Sequence, residues 1–137
     1  MNPTQIELRK SFHFEAAHFL PYLPDGHKCR RIHGHSFQVE VAVRGPCDPR
    51  LGWLIDYGEI KKAFAPLEET LDHRLLNAVP GLENPTSERL AAWIWDRLKP
   101  RLPGLCEIVV AETRSSRCVF RGPSSAAEAA PPPEHRP

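Results

Sequence analysis

Two segments of the 137-residue chain alternate hydrophobic and polar residues with the period of a β-strand. Between residues 6 and 18, most even positions are apolar and most odd positions are polar, and residues 37–43 repeat this alternation before the breaker Gly45-Pro46. Successive side chains of a strand point to opposite faces, so each segment is predicted to be a strand with one buried face. The loop between them is rich in Pro, Gly and polar residues, and loops of this length are usually functional or disordered.

Two later segments carry the 3.6-residue period of an amphipathic helix. Asp56 can cap the first helix, which Pro66 must kink or restart. Residues 84–88 contain the signals of a second helix start, and Pro100 closes that element. The apolar stripes are Ile60, Ala63, Phe64, Leu67 and Leu71 in the first helix and Leu90, Ala91, Ile94 and Leu98 in the second. Each helix is therefore expected to bury one face.

The last apolar segments predict a β-hairpin, and the end of the chain predicts a tail. Residues 105–111 and 118–121 form two short candidate strands around Ser115-Ser116. From residue 123 onward the chain is rich in Pro and Ala without large apolar side chains, so burial cannot offset the entropy of ordering. We expect one α+β domain over residues 1–122, with the order ββααββ, and a disordered tail over residues 123–137.

Composition and charge exclude several classes of function. A hydrophobic fraction of 41% suits a single domain with a modest core. The formal net charge is only +1, so we expect neither a nucleic-acid nor a membrane partner. The N-terminus has no apolar run that resembles a signal peptide, and the four cysteines are irregularly spaced, so reduced thiols and a cytoplasmic location are expected. No apolar stretch approaches the roughly 20 residues of a membrane span.

The strongest chemical signal is the segment Cys29-Arg30-Arg31-Ile32-His33-Gly34-His35, where the loop meets the second strand. Side chains two residues apart on a strand share a face, so His33 and His35 can bind one ion. If the first two strands pair antiparallel, the end of the first lies beside the start of the second, and His18 becomes the third ligand. His27, in the intervening loop, is the alternative third ligand. A Zn²⁺ ion held by three imidazoles keeps its fourth position open, as catalytic zinc does.

Cys29 has two interpretations. Its thiolate can be a fourth ligand, which would close the zinc site and make it structural. The thiol can instead lie near the metal without binding it. In that position the zinc and the cations Lys28, Arg30 and Arg31 would favour ionisation of the thiol, as a nucleophile or general base requires. The spacing of the ligands does not decide between these two roles.

Two other segments carry side chains of the types that act in catalysis. Asp72 and His73 follow the first helix, and a neighbouring carboxylate can orient an imidazole and raise its basicity. The alternative is that the pair simply ends the helix. Glu112 follows an apolar strand, where it is either a solvent-facing residue or an acceptor for two hydrogen bonds from a guanidine-like ligand edge.

Six segments of the chain resemble, in order and spacing, the 6-carboxytetrahydropterin synthases of the queuosine pathway, which belong to the 6-pyruvoyltetrahydropterin synthase family. They are FHFEAAHFLP, DGHKCRRIHGHSFQVEV, GWLIDYGEIKKAF, LDHRLLN, PGLENPTSERLAAWIWDRLKP and AETRSSRC. The resemblance runs from about residue 6 to residue 122. The cysteine of the CxxxHGH pattern, with GHK before it, resembles that of the carboxy-forming branch, because the cysteine of the pyruvoyl-forming animal enzymes lies farther ahead of HGH.

The resemblance implies a fold and an assembly. The fold is the tunnelling fold, with four antiparallel strands and two helices on one face. Subunits of this fold join their sheets into an oligomeric barrel, commonly a homohexamer made of two trimers, with active sites at subunit boundaries. Association of this kind has a physical reason, because it covers the open edges of the sheet.

The resemblance also implies a reaction and the residues that perform it. A zinc-dependent lyase would convert 7,8-dihydroneopterin triphosphate to 6-carboxy-5,6,7,8-tetrahydropterin, acetaldehyde and triphosphate. In this chain the zinc ligands would be His18, His33 and His35, and the general base would be Cys29. Asp72 and His73 would form the proton relay. Glu112 would anchor the pterin and is also described as part of the relay, and Thr86 and Ser87 would make further contacts with the pterin.

Two other functions stay open from the sequence. A pyruvoyl-forming synthase would share the zinc and the thiol but keep the carbon–carbon bond, so it would release no acetaldehyde. A non-enzymatic zinc module would use Cys29 as its fourth ligand, with a zinc–sulfur distance near 2.3 Å, and would unfold on Cys29→Ala.

Overall fold

The computed structural model describes residues 5–124, in which five strands and two helices form an α+β fold. The predicted order of the main elements is confirmed, and one short strand is added after the first helix. The strands are β1 (Gln5–His18), β2 (His33–Pro46), β3 (Arg74–Leu75), β4 (Leu105–Ala111) and β5 (Cys118–Phe120), and the helices are α1 (Tyr57–Leu71) and α2 (Ser87–Leu98).

The strands form one mixed sheet in the order β3-β1-β2-β4-β5. β1 and β2 pair antiparallel along their whole length, and β4 and β5 extend the sheet on the β2 side with antiparallel pairs. β3 pairs parallel with β1 at Ala16 and Ala17. The prediction of four antiparallel strands is therefore wrong. A two-residue strand is too short to show a hydrophobic period, so the sequence pattern did not reveal β3.

One face of the sheet packs on both helices. Phe12 of β1 stacks on Phe64 of α1 with ring centroids 4.1 Å apart, and Trp95 of α2 lies against Phe120 of β5 at 5.5 Å. The opposite face carries charged side chains, and Arg9 pairs there with Glu7, Glu40 and Glu107. The fold is thus one layer of helices on one layer of sheet.

Side-chain caps start both helices. Asp56 Oδ1 accepts a hydrogen bond from Gly58 N–H at 2.9 Å, as predicted, and Thr86 Oγ1 accepts one from Arg89 N–H at 3.1 Å. α1 continues as one helix through Pro66, so it does not restart there. Pro66 is exposed, and the carbonyl group left without its N–H partner belongs to Lys62, which is exposed as well. Water can therefore satisfy that carbonyl.

The described residues end at 124, so the disordered tail predicted for residues 123–137 lies almost entirely outside them. Within residues 5–124, neither helix combines the length and the apolar composition that crossing a membrane requires.

Candidate metal centre and active site

Three histidine side chains converge where β1 ends and β2 begins. The predicted antiparallel pairing of these strands is confirmed, with His18 opposite His33 and His35 opposite Ala16. One ligand atom from each of the three imidazoles lies within 4.8 Å of the others. His18 and His35 both contact the ring of the core residue Phe37, with centroids 5.5 Å apart. The cluster therefore lies on the face of the sheet that packs on the helices.

Backbone carbonyl groups orient two of these imidazoles. His18 Nδ1 lies 2.9 Å from the carbonyl oxygen of Pro85, and His33 Nδ1 lies 2.7 Å from that of Arg31. A carbonyl oxygen can only accept, so each Nδ1 carries a proton, and in the neutral imidazole Nε2 then presents the lone pair. Metal-ligating histidines usually donate their other ring N–H in this way.

The surroundings of His18 Nε2 indicate whether the three histidines can bind a metal ion. The atom is buried and has no hydrogen-bond partner among the residues that the structure describes. Buried polar atoms are nearly always paired, so this lone pair requires a partner that the described residues do not supply. Burial lowers the pKa of His18, against the opposing effect of its bond to Pro85, and so favours the neutral imidazole that a metal needs. The three histidines therefore fit a metal ion that takes nitrogen ligands.

Cys29 lies in a short 3₁₀ turn next to the cluster. Its carbonyl oxygen accepts a hydrogen bond of 2.8 Å from Leu20 N–H, two residues beyond His18. Its own N–H donates to His27 Nδ1 at 3.1 Å, so His27 caps this turn. Within residues 5–124, neither Cys29 nor His27 joins the group of ligand atoms formed by the three histidines. The geometry therefore favours neither Cys29 as a fourth ligand nor His27 as the third.

Glu112 lies between the histidine cluster and the start of α2. Its Oε2 is 3.7 Å from His35 Nε2, and its Oε1 accepts a hydrogen bond of 2.9 Å from Ser87 Oγ. A recess of about 340 Å³ opens beside this pair, with Ser87, Glu112 and Arg117 among its lining residues. Thr86, the N-cap of α2, directly precedes Ser87. The structure thus brings Glu112, Ser87 and Thr86 together next to the three histidines.

Asp72 and His73 form a fixed pair at the edge of β1. Asp72 Oδ1 accepts a hydrogen bond of 2.9 Å from Glu15 N–H, and Asp72 Oδ2 lies 3.0 Å from His73 Nδ1. The Glu15 N–H first, and then the His73 side chain, hold the pKa of Asp72 below its usual value. His73 has a φ of 58°, in the left-handed region, and its N–H donates to the Glu15 carbonyl. The pair therefore presents an oriented imidazole in addition to ending α1.

His73 lines an open groove of about 580 Å³ together with Glu15, His35 and Ser36. The side chains of Glu15 and Ser36 alternate with the buried Phe14 and Phe37, so they project from the face opposite the helices. The hydrogen bonds and ion pairs of the described residues join His73 to Asp72 and Glu15, and none joins it to Cys29.

Pro85 and Arg31 carry the backbone carbonyl oxygens that orient two of the three candidate ligands, a role that the sequence pattern did not predict. No sequence signal marks them, because any residue can supply a backbone carbonyl. Only the folded chain shows which carbonyl reaches which imidazole.

Similarity to known proteins agrees with this geometry. Residues 7–123 match the family described as 6-pyruvoyl tetrahydropterin synthase. The 6-carboxy-5,6,7,8-tetrahydropterin synthase of Synechocystis sp. is 42% identical over 120 residues, which cover 83% of this chain and 92% of that protein. The protein of the same name from Bacillus subtilis is 33% identical over 132 residues, 88% of each chain.

The fold is shared as well. The structure of Caenorhabditis elegans 6-pyruvoyl tetrahydropterin synthase matches with a TM-score of 0.82 at 27% identity, over 90% of this chain and 100% of that one. The family predicted from the six sequence motifs is therefore confirmed. The chain belongs to the 6-pyruvoyl tetrahydropterin synthase family.

Proposed function

We propose that this protein is a zinc-dependent lyase of queuosine biosynthesis in the cytoplasm. It converts 7,8-dihydroneopterin triphosphate and water to 6-carboxy-5,6,7,8-tetrahydropterin, acetaldehyde and triphosphate. The observation that carries the proposal is the cluster of three histidines, with the buried and unpartnered His18 Nε2, beside the carboxylate of Glu112. Similarity to two proteins named 6-carboxy-5,6,7,8-tetrahydropterin synthase supports the carboxy-forming outcome.

His18, His33 and His35 would hold the metal. Zinc bound there would supply Lewis acidity toward the hydroxyl groups of the substrate side chain. The carbonyl groups of Pro85 and Arg31 keep the protons of His18 and His33 on Nδ1, so that both Nε2 lone pairs stay available. Burial of His18 keeps water away from one side of the ligand set.

Glu112 binds the pterin ring. Its carboxylate is held by Ser87 and faces the recess beside the cluster, where it can accept hydrogen bonds from the guanidine-like edge of a pterin. Each charge-assisted bond of this kind contributes roughly 1.5–3 kcal/mol. Thr86 and Ser87 contact the same ring from the start of α2. With the ring anchored at Glu112, the substrate side chain extends toward the histidines.

Cys29 is the general base, and as a thiolate it removes a proton from the substrate side chain. Lys28, Arg30 and Arg31 flank it in the sequence. Arg30 also fixes the turn, because its Nη1 lies 3.0 Å from Asp25 Oδ1 and donates to the Leu23 carbonyl at 2.9 Å. A general base on this fixed turn can contact the substrate without being a ligand of the metal.

Asp72 and His73 complete the proton relay across a subunit boundary. Among the described residues of one chain, no hydrogen bond or ion pair joins the His73 imidazole to Cys29, so we propose that it serves the Cys29 thiol of another subunit. The sheet ends in short strands, β3 and β5, and joining such edges covers their free backbone groups. We therefore propose a homohexamer, built from two trimers, in which His73 of one subunit serves Cys29 of the next.

Mixed oligomers test this arrangement. Cys29→Ala and His73→Ala are each expected to be inactive, and their mixture, unfolded and refolded together, is expected to recover part of the native activity. Recovery requires that intact Cys29 and intact His73 meet from different chains. A mixture that stays as inactive as the two separate variants, although it assembles normally, would contradict a relay between subunits.

Product analysis tests the reaction. Purified protein is incubated with 7,8-dihydroneopterin triphosphate, and the products are identified by mass spectrometry. Acetaldehyde and 6-carboxy-5,6,7,8-tetrahydropterin are expected together. Release of triphosphate without acetaldehyde would contradict the proposal and favour the pyruvoyl-forming reaction, which the similarity to the C. elegans structure makes the second candidate.

A further inference from the structure

Asn77 connects segments that position the metal ligands, although it is not a ligand itself. It lies in the 3₁₀ turn Leu76–Ala78, directly after β3. Its Oδ1 accepts a hydrogen bond from Phe19 N–H at 3.0 Å, and its Nδ2 donates to the Phe19 carbonyl at 2.8 Å. Nδ2 also donates to the Glu83 carbonyl at 3.3 Å. Because an N–H group only donates and a carbonyl only accepts, these partners fix the orientation of the Asn77 amide.

The first contact fixes the backbone next to His18. Phe19 follows His18, and the planar peptide bond between them contains the Phe19 N–H that Asn77 holds. Pairing of β1 with β2 ends at His18 and His33, so the strand ladder no longer holds the chain from Phe19 onward. The amide of Asn77 supplies Phe19 with both a donor and an acceptor in place of a neighbouring strand.

The second contact fixes the loop that orients the His18 ring. Glu83 lies two residues before Pro85, whose carbonyl accepts the hydrogen bond from His18 Nδ1. Asn77 therefore holds, with one amide group, both the backbone beside the ligand and the loop that carries the ligand's hydrogen-bond partner. Loss of the amide would free the Phe19 peptide that follows His18 and the loop that carries Pro85 at the same time.

We infer that Asn77 is a positioning residue for the metal centre, which sets the place and ring orientation of His18. The inference rests on the proposed metal site. Groups hydrogen-bonded directly to metal ligands typically change metal affinity about 10- to 100-fold when they are removed, and Asn77 holds the loop that carries such a group, the Pro85 carbonyl. The effect of Asn77 on the metal should therefore exceed what a general loss of stability produces.

Cobalt binding tests the inference, because Co²⁺ takes nitrogen ligands and its visible absorption bands report ligand geometry. The metal-free native protein, Asn77→Ala and Val43→Ala are titrated with Co²⁺, and their unfolding midpoints are measured without metal. Val43 is a buried core residue that pairs with Leu105 at the far end of β2, so its truncation lowers stability away from the site. Asn77→Ala is expected to bind Co²⁺ about 10- to 100-fold more weakly, with altered bands. Val43→Ala should keep native affinity and bands.

The inference would be overturned if Asn77→Ala kept the native Co²⁺ affinity and absorption bands. It would also be overturned if Val43→Ala lost as much Co²⁺ affinity as Asn77→Ala when the two unfolding midpoints fell equally. If Asn77→Ala does not fold, Asn77→Asp replaces it, since it keeps the bond from Phe19 N–H and removes both donated bonds. Native Co²⁺ binding by Asn77→Asp would then contradict the inference, and weaker binding would support it. A native protein that binds no Co²⁺ would overturn the metal site itself, which separates the two failures.

Discussion

The hydroxyl group of Ser87 donates a hydrogen bond of 2.9 Å to Oε1 of Glu112, and this bond joins the start of α2 to the end of β4. The other oxygen of the same carboxylate lies 3.7 Å from His35 Nε2. One side chain thus borders both the recess at α2 and the histidine cluster. This position suits a group that anchors one end of a substrate while the metal binds the other.

Glu112→Gln is expected to weaken substrate binding. The amide would keep one acceptor oxygen but lose the charge that strengthens hydrogen bonds from the pterin edge, so KM should rise about 10-fold or more. Ser87→Ala should give a smaller rise, because the carboxylate stays charged but is less firmly oriented. Steady-state kinetics and zinc content measure both effects. Glu69→Gln, on the exposed side of α1, is the matched control, and a rise in its KM equal to that of Glu112→Gln would contradict the assignment.

Cys29→Ala is expected to lose activity while it keeps the metal and the fold. Removal of a general base lowers kcat about 10²- to 10⁴-fold, whereas zinc content and the unfolding midpoint should stay native, since Cys29 is outside the ligand group. Cys47→Ala, in the loop after β2, serves as the control and should remain active. Loss of zinc together with unfolding in Cys29→Ala would instead support the structural zinc module.

Asp72 is expected to contribute stability that depends on pH. Its pKa is lowered in the folded state, chiefly by the Glu15 N–H and then by His73. A carboxyl group with a depressed pKa stabilises the folded state at pH values above its pKa in the unfolded chain, about 3.9. This contribution is lost as the pH falls through the pKa of the group in the folded state. Urea unfolding of Asp72→Asn between pH 7 and acidic pH should therefore show a weaker loss of stability in acid than the native protein. Asp96→Asn, an exposed carboxyl on α2, should follow the native curve, and identical curves for native protein and Asp72→Asn would refute the contribution.

Phe64→Ala is expected to destabilise the fold strongly. Phe64 is fully buried and stacks on Phe12, so its truncation removes a main contact between α1 and β1 and leaves a cavity. A loss of about 3–5 kcal/mol in the free energy of unfolding is expected from urea titration. Tyr57→Ala removes an exposed aromatic ring from the same helix and should change that free energy by at most about 0.5 kcal/mol. Similar losses in the two variants would contradict the assigned packing.

Local patterns were enough to predict much of the fold and part of the site. The alternation in β1 and β2, the cap at Asp56 and the helix start within residues 84–88 depend on residues close together in sequence, and the structure has these elements. The pairing that places His18 beside His33 followed from the same alternation and from the order of the two strands.

Contacts between distant segments could not be predicted in this way. β3 consists of two residues, which carry no period, and its parallel pairing with β1 depends on where α1 ends. The bonds of Pro85 to His18 and of Asn77 to Phe19 join groups that are 67 and 58 residues apart and that have no distinctive chemistry of their own. The groove shared by His73, Glu15 and Ser36 likewise joins segments that are far apart in the sequence.

Acetaldehyde formation as a function of added zinc shows whether the lyase reaction depends on a metal bound by the three histidines. Protein stripped of metal is supplied with 7,8-dihydroneopterin triphosphate and increasing zinc, and His33→Ala is measured in parallel. We expect no acetaldehyde without metal, a rate that saturates at about one zinc ion per chain, and no acetaldehyde from His33→Ala at the same zinc concentrations. Acetaldehyde formed at the native rate by the stripped protein, or by His33→Ala, would contradict this dependence on the metal.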